Sequence, residues 1–557
     1  MPDKPRPLFA SQEFALSEAG GAPRRSAAGL WLLRLIGVAA VLAVMAPILV
    51  VVMSWGSAQT EVWQHLIATQ LASLLFNTLV LLVGVAILVS VLGIGLAWLT
   101  VMCEFPGRAW FEWLLMLPLA VPAYVMAFVI LGVFDFGGPL QSFLRLQFGQ
   151  QYGSMDVRNA LTVIIVFSLV LYPYVYMLAR SAFLSQSSDT TEAARVLGCN
   201  PWQAFYRVAL PMARPAIVAG VSLAMMETLA DFGTVAVFNY DTFTTAIYKS
   251  WFGFFNIQAA AQLASILLLF VALTLFAERR SRGGRRFVQG GRLQHRYRFA
   301  VKPVKAWAMT ICCSVVLALA FVLPVFQLLV WAVDEGVAQL NQRFFELLQH
   351  TVLLAGLAAA ITVFLALVLA FNRRQFKRGG FFSVAQLGYA LPGSVLAVGI
   401  MLSFTFIDNQ VFIPVQRWLG MSPVPVLVGS IATLLAAYWI RFLAVASGPL
   451  ESSLERIRPS LPEAARTLGA NGSELVWRIY LPMLRPGLLT AMVLVFVDVM
   501  KEMPATLLLR PYGWDTLAVR IYEMTAEGQW QLAALPALAL VAAGLIPVVI
   551  SIRRSRH

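Results

Sequence analysis

Residues 192–215 read EAARVLGCNPWQAFYRVALPMARP, and residues 463–486 read EAARTLGANGSELVWRIYLPMLRP. Aligned at a constant offset of 271 residues, the two stretches are identical at 13 of 24 positions. A repeat of this length at two distant places in one chain indicates an internal duplication. We therefore predict two related halves, with the repeated stretch as the working part of each.

Each copy begins with the signals of a helix that ends at a sharp turn. Asp189 and Glu192 in the first copy, and Ser460 and Glu463 in the second, have the spacing of a capping box. Six residues after each glutamate stands a glycine, which ends a helix cheaply in the left-handed conformation. Helix capping explains Glu192 alone as well as a partner contact does, but it does not explain two matched copies.

A second helix is expected after each turn. Asn200 and Pro201 have the types of a cap and a first helical residue, and Asn471 with Gly472 is a looser version of that start. A Leu-Pro pair then closes each hairpin. The residues singled out in the two copies are Glu192, Ala193, Ala194, Gly198, Leu210, Pro211, Glu463, Ala464, Ala465, Gly469, Leu481 and Pro482.

The composition indicates a membrane protein. Of the 557 residues, 60% are hydrophobic and 12% are charged, and apolar runs of about 20 residues, the length that spans a bilayer, recur throughout. We predict an all-α polytopic fold with about twelve transmembrane helices in two homologous six-helix halves. The predicted spans are 30–54, 71–101, 112–133, 159–181, 213–238, 257–277, 307–333, 351–371, 381–407, 425–448, 484–509 and 531–552.

The placement of Lys and Arg predicts the orientation. If the N-terminus is inside, 33 of the 41 residues fall in inner segments, seven fall in outer segments, and Lys501 lies within a span. Because positive residues concentrate on the cytoplasmic side, we expect both termini and both repeated loops to face the cytoplasm. The basic residues sit between apolar runs, so the net charge of +14 does not indicate a nucleic-acid partner.

These features divide the chain into five parts. The linker holds ten Lys or Arg; it could contact lipid headgroups, but we interpret it as a solvated tether. The parts are a cytoplasmic tail (1–29), a first half (30–277, with its loop at about 182–212), the cytoplasmic linker (278–306), a second half (307–552, with its loop at about 449–483) and a cytoplasmic C-terminus (553–557).

The sequence carries no motif for catalysis. The phosphate-binding pattern GxxxxGK[ST] does not occur, and neither do HExxH, CxxC or a nucleophile elbow. We therefore expect no enzymatic activity and no cofactor bound by this chain. Tyr172, Tyr174 and Tyr176 are ferric ligands by residue type, but aromatic residues near a span more often serve packing. The four cysteines are not expected to form disulfides.

Ionisable residues within predicted spans are candidates for function, since each costs several kcal/mol unless it faces a cavity or a partner. Glu227 and Asp231 align with Asp498 and Glu502 at the same offset of 271. Their i,i+4 spacing predicts that both acids of each half share a helix face. The acids either line a translocation path for a cation or serve only structure, with Lys501 pairing with Asp498. Helix breaks are expected to follow, at Gly233 and Pro504.

The spacing EAA-x3-G-x9-[VI]-x-LP, present twice without a gap, resembles the cytoplasmic coupling loop of permease subunits in bacterial ABC importers. The whole of 30–552 resembles a fused permease subunit, and TLADFGTV at 228–235 and KEMPATLLLRP at 501–511 resemble the ferric-iron importers. The resemblance implies two copies of a cytoplasmic ATPase that binds ATP–Mg, a periplasmic ferric-binding protein and a location in the bacterial inner membrane. It also implies import by alternating access.

Other functions remain open on the sequence. Within the importer class, thiamine or a phosphonate is the second choice of cargo. An ion-coupled secondary transporter would also have about twelve spans and buried carboxylates, but it has no use for two matched cytoplasmic hairpins. A membrane scaffold does not account for the paired charges. The ligands of any metal are left unassigned.

Overall fold

The computed structural model describes residues 27–57, 59–149, 156–186, 198, 200–282, 299–335, 340–375, 384–458 and 460–555. This part of the chain is almost entirely helical, as predicted. The exception is a pair of two-residue parallel strands, β1 (Cys103–Glu104) and β2 (Phe299–Ala300). They join the segment after the second predicted span to the end of the basic linker.

Twelve α-helices are described before the linker, several of them short. They are α1 (Ala27–Met53), α2 (Thr60–Thr69), α3 (Leu71–Met102), α4 (Arg108–Leu114), α5 (Ala123–Phe134), α6 (Pro139–Phe148), α7 (Ala160–Ser185), α8 (Pro201–Ala204), α9 (Leu210–Ala230), α10 (Gly233–Val237), α11 (Phe243–Tyr248) and α12 (Ile257–Arg282).

Twelve more helices are described after the linker. They are α13 (Pro303–Leu317), α14 (Leu323–Asp334), α15 (Gln342–Gln375), α16 (Gly393–Ile407), α17 (Ile413–Trp418), α18 (Ile431–Glu455), α19 (Ser460–Thr467), α20 (Gly472–Glu474), α21 (Leu481–Lys501), α22 (Pro504–Leu509), α23 (Leu517–Ala526) and α24 (Ala534–Ser555).

Eleven helical stretches among the described residues are long and apolar enough to cross a membrane. Each overlaps one predicted span. At the place of the twelfth predicted span lies a shorter apolar helical stretch, Ala534–Ile550. The chain is therefore a multi-pass membrane protein, and its spans follow the sequence prediction apart from their boundaries.

Two predicted spans are interrupted near their middle. In the third, a 3₁₀ turn at Leu117–Ala120 precedes α5, and in the ninth, a 3₁₀ segment at Val384–Ala390 precedes α16. The residue before each of these helices is a proline, Pro122 or Pro392, in an extended or nearly extended conformation. Proline has no N–H to donate and restricts the residue before it, so an uninterrupted helix cannot run through these positions.

The fifth and eleventh predicted spans end early. At Asp231 and Glu502 the backbone leaves the helix, with ψ angles of 128° and 113°. The short helices α10 and α22 then start at Gly233 and Pro504, where the sequence predicted breaks. The prediction that both acids of each half share one helix face is therefore wrong, because Asp231 and Glu502 lie just beyond the helix end.

The sequence predicted that a Leu-Pro pair ends each hairpin. This prediction is wrong, because both pairs lie within continuous helices. Leu210 N–H bonds to Phe205 O and Leu481 N–H bonds to Val476 O, each spanning five residues in a π-helical turn. In a regular α-helix the ring of Pro211 or Pro482 would clash with a carbonyl of the preceding turn, and the wider π-helical turn relieves that clash. Each hairpin therefore runs without interruption into a membrane span.

The two halves are interleaved. Helix α1 packs against α15 and α16 of the second half, where Asn372 Nδ2 donates to Leu33 O at 2.8 Å. In return, α14 packs against α5 of the first half. Most of the buried hydrophobic side chains form a single cluster that includes both halves. This interleaving brings the ends of α9 and α21 to the boundary between the halves.

Candidate functional site

The repeated hairpin has the same turn geometry in both copies. Gly198 and Gly469 have φ angles of 86° and 87°, the left-handed conformation that the sequence predicted. Both positions have open space where a Cβ atom would stand. The glycines are therefore required by backbone conformation and not by close packing.

Reciprocal capping starts the second helix of each hairpin. Asn200 Oδ1 accepts from Gln203 N–H at 2.8 Å, and Asn200 N–H donates to the Gln203 side chain at 3.0 Å. In the second copy, Asn471 and Glu474 form the same pair of bonds, at 2.9 and 3.1 Å. The expectation that the second start is looser is wrong, because Glu474 returns the bond that Gln203 supplies in the first.

The repeated acid of the second hairpin lies on an open surface. Glu463 and Ala464 are exposed on α19, as is Gly469 at the turn, and Ala465 is partly exposed. Ser460 is already the first residue of α19 and not its cap. Leu468, which the sequence analysis passed over, is 88% exposed beside the turn. An exposed leucine on a rigid, capped hairpin suits docking against a partner.

The equivalent acid of the first hairpin cannot be compared. Glu192, Ala193 and Ala194 lie outside the described residues, as does Asp189. Beyond the hairpin, Leu210 and Leu481 are partly buried and Pro211 and Pro482 are exposed. The two copies agree in burial at this Leu-Pro pair.

Two of the four candidate acids cap short helices. Asp231 Oδ1 accepts from Thr234 N–H at 2.7 Å, at the start of α10. Glu502 Oε1 accepts from Ala505 N–H at 3.0 Å, at the start of α22. A carboxylate at a helix start satisfies an unpaired N–H and interacts favourably with the helix dipole. The break in each span therefore depends on the acid that precedes it.

Glu502 also pairs with a residue that the sequence analysis missed. Arg441 Nη1 lies 3.1 Å from Glu502 Oε1, and both side chains are largely buried. Arg441 falls within the predicted span 425–448. The reasoning applied to Lys501, that a charge inside a span needs a partner, would have found it.

Glu227 and Lys501 make contacts between the halves. Tyr389 Oη donates to Glu227 Oε1 at 3.0 Å, and Lys501 Nζ donates to Leu119 O at 3.2 Å. Neither contact was expected. The pairing of Lys501 with Asp498 is not found, since no ion pair joins these two described residues. The side chain of Lys501 instead reaches across to the first half.

The tyrosines considered as ferric ligands mostly serve packing. Tyr172 Oη donates to Leu115 O at 2.9 Å, and Tyr176 Oη donates to Glu112 O at 3.0 Å. Both side chains are fully buried. In the described part of the chain, no group of three or more His, Cys, Asp or Glu is arranged to hold a metal ion. This geometry gives no support to a tight metal site.

One position of the repeat forms an ion pair in both halves, but with the opposite charge. In the first half Arg180 Nη2 lies 2.9 Å from Glu112 Oε2, and Arg108 bonds the same carboxylate. In the second half Glu451 stands at the place of Arg180, 271 residues later, and pairs with Arg373 at 2.9 Å. The halves therefore share their backbone plan while their charges differ.

The one cysteine that lies just after a span is shielded. Cys103 follows α3 and is 6% exposed, and burial raises the pKa of its thiol to about 11. Within the described residues, Cys103, Cys312 and Cys313 are all free thiols.

A family model matches the chain twice. Residues 89–280 and 362–555 match the family described as "Binding-protein-dependent transport system inner membrane component". One match falls in each half and includes that half's hairpin and acid-bearing helix.

Three relatives illustrate the range of similarity. The Fe(3+)-transport system permease protein FbpB 2 of Haemophilus influenzae is 27% identical over 86% of this chain and 89% of its own length. The ferric transport system permease protein FbpB of Actinobacillus pleuropneumoniae is 24% identical over 75% of this chain and 61% of its own length. The sulfate transport system permease protein CysT of Escherichia coli is 28% identical over 42% of this chain and 84% of its own length.

Proposed function

This chain belongs to the family of binding-protein-dependent transport system inner membrane components, and we propose that it carries ferric iron from periplasm to cytoplasm as the fused permease of an ABC importer. Both halves of the permease are on one chain. Both termini and both hairpins face the cytoplasm in this proposal, in agreement with the distribution of Lys and Arg.

The duplicated hairpin is the observation that carries the importer mechanism. In each half a capped turn at Gly198 or Gly469 leads through a π-helical turn into one membrane span. That span, Phe205–Ala230 or Leu475–Lys501, ends at the boundary between the halves. A push on the hairpin therefore displaces a rigid helix whose far end lies where the two halves meet.

The partners follow from this arrangement. Two copies of a cytoplasmic ATPase each receive one hairpin, and ATP–Mg binds to those subunits and not to this chain. ATP closes the ATPase dimer, the two hairpins approach one another, and the halves rock to open outward. A periplasmic ferric-binding protein delivers the cargo to the open side. The chain performs no catalysis of its own.

Ferric iron is favoured as cargo by two relatives whose names specify ferric transport and that align with three quarters or more of this chain. The sulfate relative aligns with 42% of it. Thiamine or a phosphonate remains the alternative cargo for a fused permease. An ion-coupled secondary transporter is disfavoured because the chain belongs to a binding-protein-dependent family.

The four acids take the role of a weak attractive path in this proposal. Carboxylate oxygens suit a hard cation such as Fe³⁺, and a tight site would trap the ion instead of passing it on. Asp498 and Asp231 have no ion-pair partner within 4.0 Å among the described residues, whereas Glu502 is bonded to Arg441. Asp231 and Asp498 are therefore the acids most available to cargo.

Uptake into proteoliposomes tests the proposal. The tagged chain is purified with its partner ATPase, reconstituted, and supplied with its periplasmic binding protein loaded with radiolabelled ferric ion. We expect uptake that requires both ATP inside and binding protein outside. Labelled sulfate, thiamine and a phosphonate serve as parallel cargo in the same vesicles.

Each outcome of this assay discriminates between functions. Uptake of another cargo in preference to iron overturns the assignment of ferric iron as cargo but leaves the proposed importer function in place. Uptake driven by an ion gradient without ATP overturns the importer mechanism itself. Vesicles that lack the binding protein control for leakage.

A further inference from the structure

Two hydrogen bonds join the halves of the chain at the ends of the hairpin-bearing helices. In one, Tyr389 of the second half donates to Glu227, near the end of α9, at 3.0 Å. In the other, Lys501 at the end of α21 donates to the carbonyl of Leu119 in the first half at 3.2 Å. Both bonds are partly buried.

The two contacts join equivalent elements of the internal repeat. Leu119 lies in the 3₁₀ turn Leu117–Ala120 before α5, and Tyr389 lies in the 3₁₀ segment Val384–Ala390 before α16. Each bond therefore joins the end of one half's hairpin helix to the break in the other half's third span. The chemistry differs, since Ala230 stands at the place of Lys501 and, with Pro122 aligned to Pro392, Leu119 stands at the place of Tyr389. Different side chains therefore form the hydrogen bond between these two elements in the two halves.

The geometry connects these bonds to the hairpins. The stretch Phe205–Ala230 has 26 residues, which at 1.5 Å per residue is about 39 Å long. A tilt of about 5° around its foot moves the far end by about 3 Å. A hydrogen bond near 3 Å does not survive such a displacement. A small motion at the hairpin is thus enough to break the contact between the halves.

We propose that Tyr389 and Lys501 are positioning residues of the transport cycle, which latch the two halves in the conformation described here and release when the hairpins move. The inference rests on the proposed importer function and deepens it. It gives Glu227 a role as a hydrogen-bond acceptor, separate from any attraction of cargo. The latch holds the ATPase subunits apart until the binding protein arrives.

The test measures ATP hydrolysis by the reconstituted complex without binding protein. Each bond stabilises the latched conformation by about 1 kcal/mol net. Tyr389→Phe and Lys501→Met should therefore each raise this basal rate about fivefold. Transport per ATP hydrolysed should fall in both variants. Lys501→Arg, which keeps a donor, should restore low basal hydrolysis.

A control variant makes the test specific. Tyr438→Phe also removes a buried tyrosine hydroxyl, but its bond to Thr506 at 2.7 Å stays within the second half; its basal rate should remain unchanged.

The remaining outcomes are equally decisive. Basal hydrolysis unchanged in both Tyr389→Phe and Lys501→Met refutes the latch. Loss of ATPase copurification in these variants, measured on the same preparations, shows that the contacts serve assembly and also refutes it. If the binding protein does not stimulate ATP hydrolysis by the wild-type complex, the result contradicts the importer function and not the latch alone.

Discussion

Arg441 and Glu502 form a largely buried ion pair of 3.1 Å between α18 and the end of α21. The same oxygen of Glu502 accepts the N–H of Ala505 at 3.0 Å and so caps α22. One carboxylate thus neutralises a buried guanidinium and also holds the break in the eleventh span. The acid predicted to attract cargo is already engaged by the protein.

Breaking this pair should destabilise the protein. Glu502→Gln keeps an oxygen for the cap but leaves Arg441 uncompensated, and the loss of one partner of a buried pair costs about 3–5 kcal/mol. Arg441→Met should cost a similar amount, because it leaves the buried Glu502 carboxylate without a counter-charge. Denaturant titration of the detergent-solubilised protein measures the free energy of unfolding of both variants.

The double variant Arg441→Met/Glu502→Gln is the control. It removes both charges and should recover most of the lost stability. Additive losses would contradict the pairing. Glu502→Gln should also slow uptake, and the double variant shows whether that loss reflects stability or the path of the cargo.

Asp231 offers a cleaner test of the cation path than Glu502. Asp231→Asn keeps an oxygen for Thr234 N–H, so its stability should match the wild type, whereas Asp231→Ala loses the cap and about 1 kcal/mol. If the charge attracts Fe³⁺, both variants should slow uptake. Uptake by Asp231→Asn at the wild-type rate assigns Asp231 to structure alone.

Gly469 should be required for coupling because of its backbone conformation. Its φ angle is 87°, and a side chain in the left-handed region costs roughly 1–2 kcal/mol. Gly469→Ala should therefore lower uptake per ATP hydrolysed while insertion in the membrane is retained. Gly198→Ala should act in the same way in the first hairpin.

Gly448→Ala is the matched control for this prediction. Gly448 lies within α18, and an added Cβ also meets open space there. The same substitution favours a helix interior by about 1 kcal/mol. Equal coupling in the Gly448→Ala and Gly469→Ala variants would show that the turn is not the sensitive element.

Cys103 should react slowly with maleimide at neutral pH. Its thiol has a pKa of about 11, so about one molecule in a thousand carries the reactive thiolate at pH 8. The labelling rate of a variant with Cys103 as its only cysteine should therefore rise with pH up to about 11. A rate that levels off near pH 9 would contradict the shift.

The orientation of the linker is testable with an added cysteine. Gly284, which lies outside the described residues, belongs to the predicted cytoplasmic linker. Gly284→Cys in a chain without its four native cysteines should react with an impermeant maleimide only after the inner membrane is opened. Labelling in intact spheroplasts would place the linker, and with it both hairpins, outside.

Local sequence was enough for much of the architecture. The 271-residue repeat, the apolar runs and the left-handed glycines each depend on residues close together in the chain, so pattern and propensity predict them. The same holds for the breaks at Gly233 and Pro504. Even the π-helical turns mostly follow a local rule. In four of the five among the described residues, a Leu-Pro or Ile-Pro pair stands immediately after the turn: Phe205–Ala209, Ala318–Val322, Asp408–Phe412 and Leu475–Tyr480.

The contacts that define the candidate site depended on tertiary structure. Tyr389 and Glu227 are 162 residues apart, and Lys501 and Leu119 are 382 apart. No periodicity links such distant positions. They meet because the first helix of each half packs on the other, which brings the ends of α9 and α21 to the boundary between the halves. Whether a buried acid attracts cargo, caps a helix or holds a latch therefore depends on which neighbours that packing brings to it.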